Sequence, residues 1–463
     1  MKKFLAVLLC AFLMLGTGCK FLDFTFASTS SVSEPYEDVS SSVSDPQNTV
    51  SDEPSTNTAS KPQTNTSAKP QKTESVSAPS NTVSGNSSGT SGGTATVNPY
   101  AQNHCYSSIS SEQQRIYRIL YSAIKNVTVD YVWLGNCTED YLADIAVAYR
   151  AVTYDYPELF WVPYSYVVNK ENSVVHLAFE QSNNANRKYL VPSDEVLIYK
   201  QEFDAAVSRI IKEVNNFAKT PYEKILYLHD LLIEDITYST GIEVAGKTEY
   251  NDMAYTAYGA IVKGDAVCEG YSKAFSYLCT KMGIENMLVT GTSREQGHMW
   301  NLVCLEDKWY HIDTTWDDAE RSIDYPLHTY FCVTDEQILL DHQIDLDVSE
   351  VSVKDKENGL KGYNFSLPSC TSKKYNYFEQ KKYYLGDDLA AAGKLIEGIC
   401  RNQSYIELKF ETAQHLEEYK AFDKKERDTY ILSISKNVTT NVPNWIFMIK
   451  QYALIGDCLY IEW

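Results

Sequence analysis

Three short motifs between positions 264 and 318 constrain what this chain can fold into more than any other feature. They are Gly264-Asp-Ala-Val-Cys-Glu-Gly-Tyr271, Gly297-His-Met-Trp-Asn-Leu302 and His311-Ile-Asp-Thr-Thr-Trp-Asp-Asp318. From Cys268 the apolar positions run Tyr271, Ala274, Phe275, Leu278 and Met282, the spacing of a helix with one buried face. Asp265 suits the N-cap and Gly283 the stop, which puts Cys268 in the first turn. His298 opens a strand over Met299–Leu305, Glu306-Asp307 makes a turn, and Lys308–Ile312 returns as a second strand. In a hairpin with that two-residue loop, His298 and Asp313 fall on one face, about a diagonal pair apart.

The chemistry of the three side chains matches that placement. A thiol attacks as its thiolate, which the positive end of a helix and a neighbouring imidazolium both favour. The imidazole in turn needs a carboxylate to hold its ring and tautomer. Other residues read more plainly. Cys279, Cys304 and Cys332 fit buried small hydrophobes, the common fate of a free cysteine. His311, between Tyr310 and Ile312 inside a strand, reads as a structural histidine rather than the base. Asp317, Asp318 and Asp324 lack the spacing of a calcium loop. No Cys-x-x-Cys, His-Glu-x-x-His or phosphate-cradling glycine motif occurs, so neither a metal nor a cofactor is expected.

These motifs, with Tyr258-Gly259-Ala260 ahead of them, resemble the transglutaminase-like core over about Tyr222 to Asp318. The resemblance implies an α+β, papain-like fold in which a cysteine-bearing helix packs on an antiparallel sheet. It further implies Cys268 as nucleophile, His298 as base and Asp313 as orienting group. The flanking stretch Asp155-Tyr-Pro-Glu-Leu-Phe-Trp161 is similar to secreted transglutaminase-like proteins of Gram-positive bacteria.

Lys2-Lys3 followed by the apolar run Phe4 to Leu15 reads as an export signal over residues 1–19, too short to span a bilayer comfortably. Leu15-Gly-Thr-Gly-Cys19 resembles a lipobox and makes Cys19 the expected lipidation site. Its leucine sits one place too far upstream, which leaves plain secretion as the alternative. Residues 20–98 are rich in Ser, Thr, Asn, Pro and Gly and read as a disordered tether. With ~70 flexible residues its span would be on the order of 45 Å. The remainder divides into an N-terminal α+β accessory region at 99–218, a catalytic core at 219–345 and a C-terminal α+β accessory domain at 346–463. Helices are expected at 112–125, 139–153, 201–217, 222–234, 389–400 and 413–422. Strands are expected at 160–168, 174–179, 375–385 and 404–410, with further strands closing the chain.

A net charge of -20 argues against nucleic acid or anionic lipid as partner. The 35 tyrosines could offer stacking surfaces, though tyrosine at strand spacing is more often half-buried in a sheet. The eight cysteines outside the motif and the N-terminal segment are scattered irregularly, which favours thiols at least as much as disulfides. The expected reaction is acyl transfer on a protein or peptide amide, with His298 protonating the departing amine. Backbone N–H groups at the start of the Cys268 helix would hold the oxyanion, and Tyr258 is a second candidate donor. An amine acceptor makes the enzyme a transglutaminase and water makes it a peptidase or amidase. A non-catalytic wall-binding lipoprotein is the alternative of a different class.

Overall fold

Capping chemistry and apolar spacing set the first elements. The computed structural model describes Asp23–Phe24, Tyr100 and residues 102–463, apart from 129–130, 163–165, 172–173, 180–189, 245–246, 250–251, 319–324, 358–361 and 439–448. Cys19, the signal segment and nearly all of the stretch read as tether therefore lie outside the described residues, as does Asp324. Within that stretch Asp23–Phe24 runs parallel to Tyr452–Ala453. Helix α1 (Ser111–Lys125) starts from a capping box between Ser110 and Gln113 and buries Ile116, Tyr117, Leu120 and Ile124. Strand β1 (Val132–Asn136), helix α2 (Tyr141–Asp155) and strands β2 (Tyr166–Glu171) and β3 (Val174–Phe179) follow, the strands pairing in the order β1-β3-β2. The strand expected from Phe160 begins only at Tyr166. Phe160 and Trp161 are buried in turns instead, and the Trp161 indole N–H donates to the Ile124 carbonyl at the end of α1, 3.0 Å away.

Helix α3 (Val196–Phe217) leads into α4 (Pro221–Asp235), which has Pro221 in its first turn and a Thr220–Glu223 capping box. The chain then reaches helix α5 (Cys268–Lys281) through a short parallel pairing of Thr237–Tyr238 with Asp265–Ala266. This pairing corrects the expected cap. It keeps the backbone extended through Val267, so Val267 is the N-cap and Cys268 the first helical residue. The Asp265 carboxylate receives the Ser239 hydroxyl at 3.3 Å instead.

Strands β4 (Asn286–Ser293), β5 (Gln296–Leu305), β6 (Lys308–Ile312), β7 (Phe331–Val333) and β8 (His342–Ile344) form an antiparallel sheet in the order β7-β6-β5-β4-β8. Helix α5 packs on β4 and β5. Between β5 and β6, Glu306 and Asp307 both have positive φ, 50° and 57°, as a type I′ turn requires. That turn fixes the pairing Leu305↔Lys308 through Asn301↔Ile312.

Gly270 admits α5 to its place. A Cβ there would lie 2.3 Å from the Ala254 carbonyl oxygen and 2.8 Å from the Ala266 Cβ. Gly270→Ala should therefore lower unfolding free energy by about 1–3 kcal/mol, the usual cost of overpacking, despite alanine's better helix propensity. Urea melts of the two proteins check this; equal midpoints would mean the segment at Ala254 yields freely.

The C-terminal part holds strand β9 (Tyr384–Leu385), helix α6 (Leu389–Ile399), strand β10 (Tyr405–Phe410), helices α7 (Ala413–Ala421) and α8 (Lys424–Lys436), and strands β11 (Gln451–Ile455) and β12 (Cys458–Glu462). The strand expected over 375–385 is mostly a helical turn, Tyr377–Lys381, capped by the Asn376 side chain. Helix α8 was not expected; it starts from an Asp423–Glu426 capping box. Residues 103–463 belong to one compact unit. Among the described residues no helix is long and apolar enough to cross a membrane. The architecture is α+β, with a cysteine-bearing helix packed on an antiparallel sheet.

Candidate active site

Cys268 is buried at the very start of α5, and its cap, Val267, offers no side-chain acceptor. The first N–H groups of α5 thus have no acceptor within the helix and carry the positive end of its dipole. Two polar ties fix the helix against β5. The Ser272 hydroxyl lies 2.8 Å from both the Cys268 and the Met299 carbonyl oxygens. The Asn301 amide donates to the Ser272 carbonyl at 3.0 Å. Because Met299 directly follows His298 on β5 and Asn301 lies two residues further on, these ties set the height of the cysteine relative to the imidazole.

His298 Nε2 lies 2.6 Å from Asp313 Oδ2, with both side chains buried. That leaves Nδ1 for the Cys268 thiol, which hydrogen-bonds to the ring. Trp300 stacks beside His298 at 5.8 Å between centroids, and Trp316 lies 5.6 Å away with the Arg294 guanidinium over its outer face. Burial pushes the His298 pKa down, but the charge and hydrogen bond of Asp313 outweigh it, helped by Cys268. The result is a pKa pushed up to about 10. A thiol and an imidazole paired in this way have the chemistry of a nucleophile and an acid–base partner.

Asp313 is fully buried, so its charge must be satisfied by donors. Oδ1 caps the short helix Thr314–Asp317, accepting from the Thr315 and Trp316 amides at 3.0 and 3.1 Å. Oδ2 accepts from His298 and, at 3.0 Å, from His342 Nε2. Burial alone would raise its pKa; the charges and hydrogen bonds of His298 and His342 instead hold the carboxyl well below the usual range.

Cys268, His298 and Asp313 are thus brought together. Tyr258 is not. Its hydroxyl donates to Glu202 at 2.5 Å, and its ring packs on Phe160 and Tyr199, so the oxyanion donor expected there is committed elsewhere. His311 sits between the Trp300 indole N–H, 2.9 Å from Nδ1, and Asp335, 2.9 Å from Nε2. Asp317 is buried and faces His229, while Asp318 receives the Tyr271 hydroxyl. All nine described cysteines are free. Sequence reasoning missed His342, Ser272 and Asn301. Asn301 stood in a quoted motif, but only the packed structure shows that it reaches α5.

Three clusters among the described residues bring ligand-type atoms within 4.8 Å of one another: His298, Asp313 and His342; His229, Asp230 and His328; and His311, Asp335 and Cys370. The first contains His298 and Asp313 of the candidate site together with His342. In the second, His229 Nδ1 and His328 Nε2 both lie beside Asp230 Oδ1, 2.9 and 3.1 Å away, so the carboxylate is a hydrogen-bond partner of both rings. In the third, the Trp300 indole occupies one nitrogen of His311. The donor sets are already engaged with one another.

Comparison with known proteins matches part of the chain to one superfamily. Residues 208–314 match the Transglutaminase-like superfamily. The human (Homo sapiens) protein Kyphoscoliosis peptidase is 26% identical over 129 residues, covering 25% of this chain and 18% of its own length. The chain therefore spans less than a fifth of that relative. A solved TGase structure shares 15% identity over 33% of this chain and 44% of its own, with a TM-score of 0.24. A protein from Cytophaga hutchinsonii described as a candidate cysteine protease shares 18% identity over 31% and 51%, with a TM-score of 0.20. The matching stretch, residues 208–314, runs from within α3 to just past β6 and is what makes this part of the chain a transglutaminase-like domain.

Proposed function

We propose that the protein is a cysteine-dependent acyl-transfer enzyme acting on protein or peptide amides. The observation that carries this reading is the continuous contact from the Cys268 thiol through His298 to Asp313 at the N-terminus of α5. The thiolate attacks a carboxamide or peptide carbonyl, the first amides of α5 receive the oxyanion, and His298 gives its proton to the departing amine. A thioester remains on Cys268. A lysine or other primary amine then resolves it to a cross-link.

Water as the acceptor gives the second reading, a cysteine peptidase or amidase, and the human relative's description as a peptidase favours it. One experiment separates the two. Glutamine-bearing peptides are incubated with the protein, with and without an added primary amine, and followed by mass spectrometry. Mass gain equal to the amine minus ammonia supports transfer; a one-dalton rise in its absence supports deamidation; cleavage supports the peptidase. No change in any arm, with a correctly folded protein, would leave the scaffold reading standing in place of both.

The proposal extends to location: an extracytoplasmic lipoprotein anchored through Cys19, its described part held off the membrane by the Ser/Thr-rich stretch. Limited proteolysis of intact cells should cut within residues 28–97 and release a folded fragment. Cys19→Ala should move the protein from the membrane fraction to the medium or leave it uncleaved. Normal processing and anchoring of that variant would exclude lipidation at this residue.

A further inference from the structure

A second histidine touches the buried aspartate. His342 opens β8, which pairs antiparallel with the edge of β4 through His342↔Ser293 and Ile344↔Gly291. Gly291 makes that approach feasible, since a Cβ there would lie 2.0 Å from the Gln343 carbonyl oxygen and 2.7 Å from the Trp300 ring. The Ser293 hydroxyl donates to the Asp341 carbonyl at 3.2 Å, fixing the entry to the strand. The imidazole so placed is fully buried, edge-on to Trp300 at 5.1 Å between centroids.

Both of its nitrogens face carboxylates. Nε2 lies 3.0 Å from Asp313 Oδ2 and Nδ1 lies 2.6 Å from Asp341 Oδ1. Ionised carboxylates only accept, so His342 donates at both nitrogens and is an imidazolium. Asp341 is 39% exposed and also receives the Tyr330 hydroxyl at 2.5 Å. The hydrogen-bonded chain therefore runs Cys268, His298, Asp313, His342, Asp341, from the thiol to a carboxylate in contact with solvent.

We propose that His342 is a positioning residue of the catalytic array, a cationic second donor that shares Asp313 with His298 and ties it to Asp341. The proposal rests on the Cys268–His298–Asp313 reading. Two effects follow from the geometry. The second donor removes the freedom of the carboxylate to rotate away from His298. Its positive charge also divides the pull of Asp313, so His298 releases its proton to a leaving group more readily than with an unshared aspartate. The other titratable or charged groups acting here are His298, 5.5 Å away between centroids, His311 on β6, Tyr330 before β7, and Arg294, which acts on Asp341 and Tyr330.

The test uses the full-length protein and the rate of iodoacetamide reaction at Cys268 from pH 5 to 11, read by peptide mass spectrometry. This readout needs no knowledge of the substrate. His342→Gln and Asp341→Asn are compared with the wild type, after thermal melts establish which variants fold. In both, the step in rate that marks loss of the His298 proton should move to higher pH, further in His342→Gln. Where turnover is measurable, kcat should fall by about ten- to a hundredfold with KM little changed, as expected of lost orientation. If His342→Gln does not fold, Asp341→Asn, altered only at a part-exposed side chain, decides alone. A step at the wild-type pH in every folded variant overturns the proposal. His298→Ala, read at Cys268, and Cys268→Ala, read as labelling of any other cysteine, run beside them: should fast labelling survive in both, the catalytic reading itself falls, a different result from an unmoved step.

Discussion

Cys268→Ala should give a folded protein that has lost covalent activity by a factor on the order of 10⁴–10⁶. The substitution removes one buried atom at the first position of α5, where alanine is a good helix former, so the melting midpoint should barely move. No other described cysteine can stand in. Burial raises the pKa of every one of the remaining eight thiols and keeps them protonated and unreactive. Iodoacetamide near pH 6 should accordingly label the wild type at Cys268 alone, and the variant hardly at all. Turnover retained by the variant would remove Cys268 from the mechanism.

The second large effect lies at the imidazole and its carboxylate. His298→Ala removes the proton donor and the counter-ion of the thiolate together, so its loss should approach that of Cys268→Ala. It should still fold, because Asp313 keeps three hydrogen bonds, from His342 and the Thr315 and Trp316 amides. Asp313→Ala should cost less in activity if the carboxylate only orients the ring, but more in stability. It uncaps the short helix and leaves His298 and His342 facing each other in the interior, a loss of about 3–5 kcal/mol for a broken buried pair. Asp313→Asn is the better kinetic probe. In the wild type the His298 proton should leave near pH 10, and in Asp313→Asn that step should fall toward the ordinary histidine value of about 6.5.

Stability has matching signs. The raised His298 pKa contributes below the unfolded value and is lost as pH climbs through about 10. The depressed Asp313 pKa contributes above the unfolded carboxylate value and is lost as pH falls through its folded one. Urea midpoints across pH read both limbs. If His311→Ala proved crippling and His298→Ala did not, the base would be misassigned.

The parts of the site that sequence could reveal are those built by local rules. The β5–β6 hairpin was legible because a two-residue turn and a period of two leave little freedom in register. Helix α5 was legible from its apolar stripe, although its start was not: a parallel pairing from residues far upstream overrode the local preference of Asp265 for a cap. Tyr258 was misread because its position relative to Glu202 on α3 depends on how two helical segments pack. His342 left no trace in any motif, since its contact with Asp313 arises from a strand added at the far edge of β4. In the C-terminal part the helix α8 was hidden by a weakly apolar sequence, and only its capping box marks it.

The β5–β6 turn has one more consequence, for how the site comes into being. His298 and Asp313 are 15 residues apart and joined by a tight hairpin, so their meeting closes a short loop at small entropic cost. Asp313 and His342 are 29 apart, and α5 precedes the hairpin with only β4 between them. Cys268, His298, Asp313 and His342 are therefore all drawn from one continuous run, from Cys268 to His342. The reactive centre of this chain is a low-contact-order object. It can assemble from neighbours in sequence without waiting for either end of the chain.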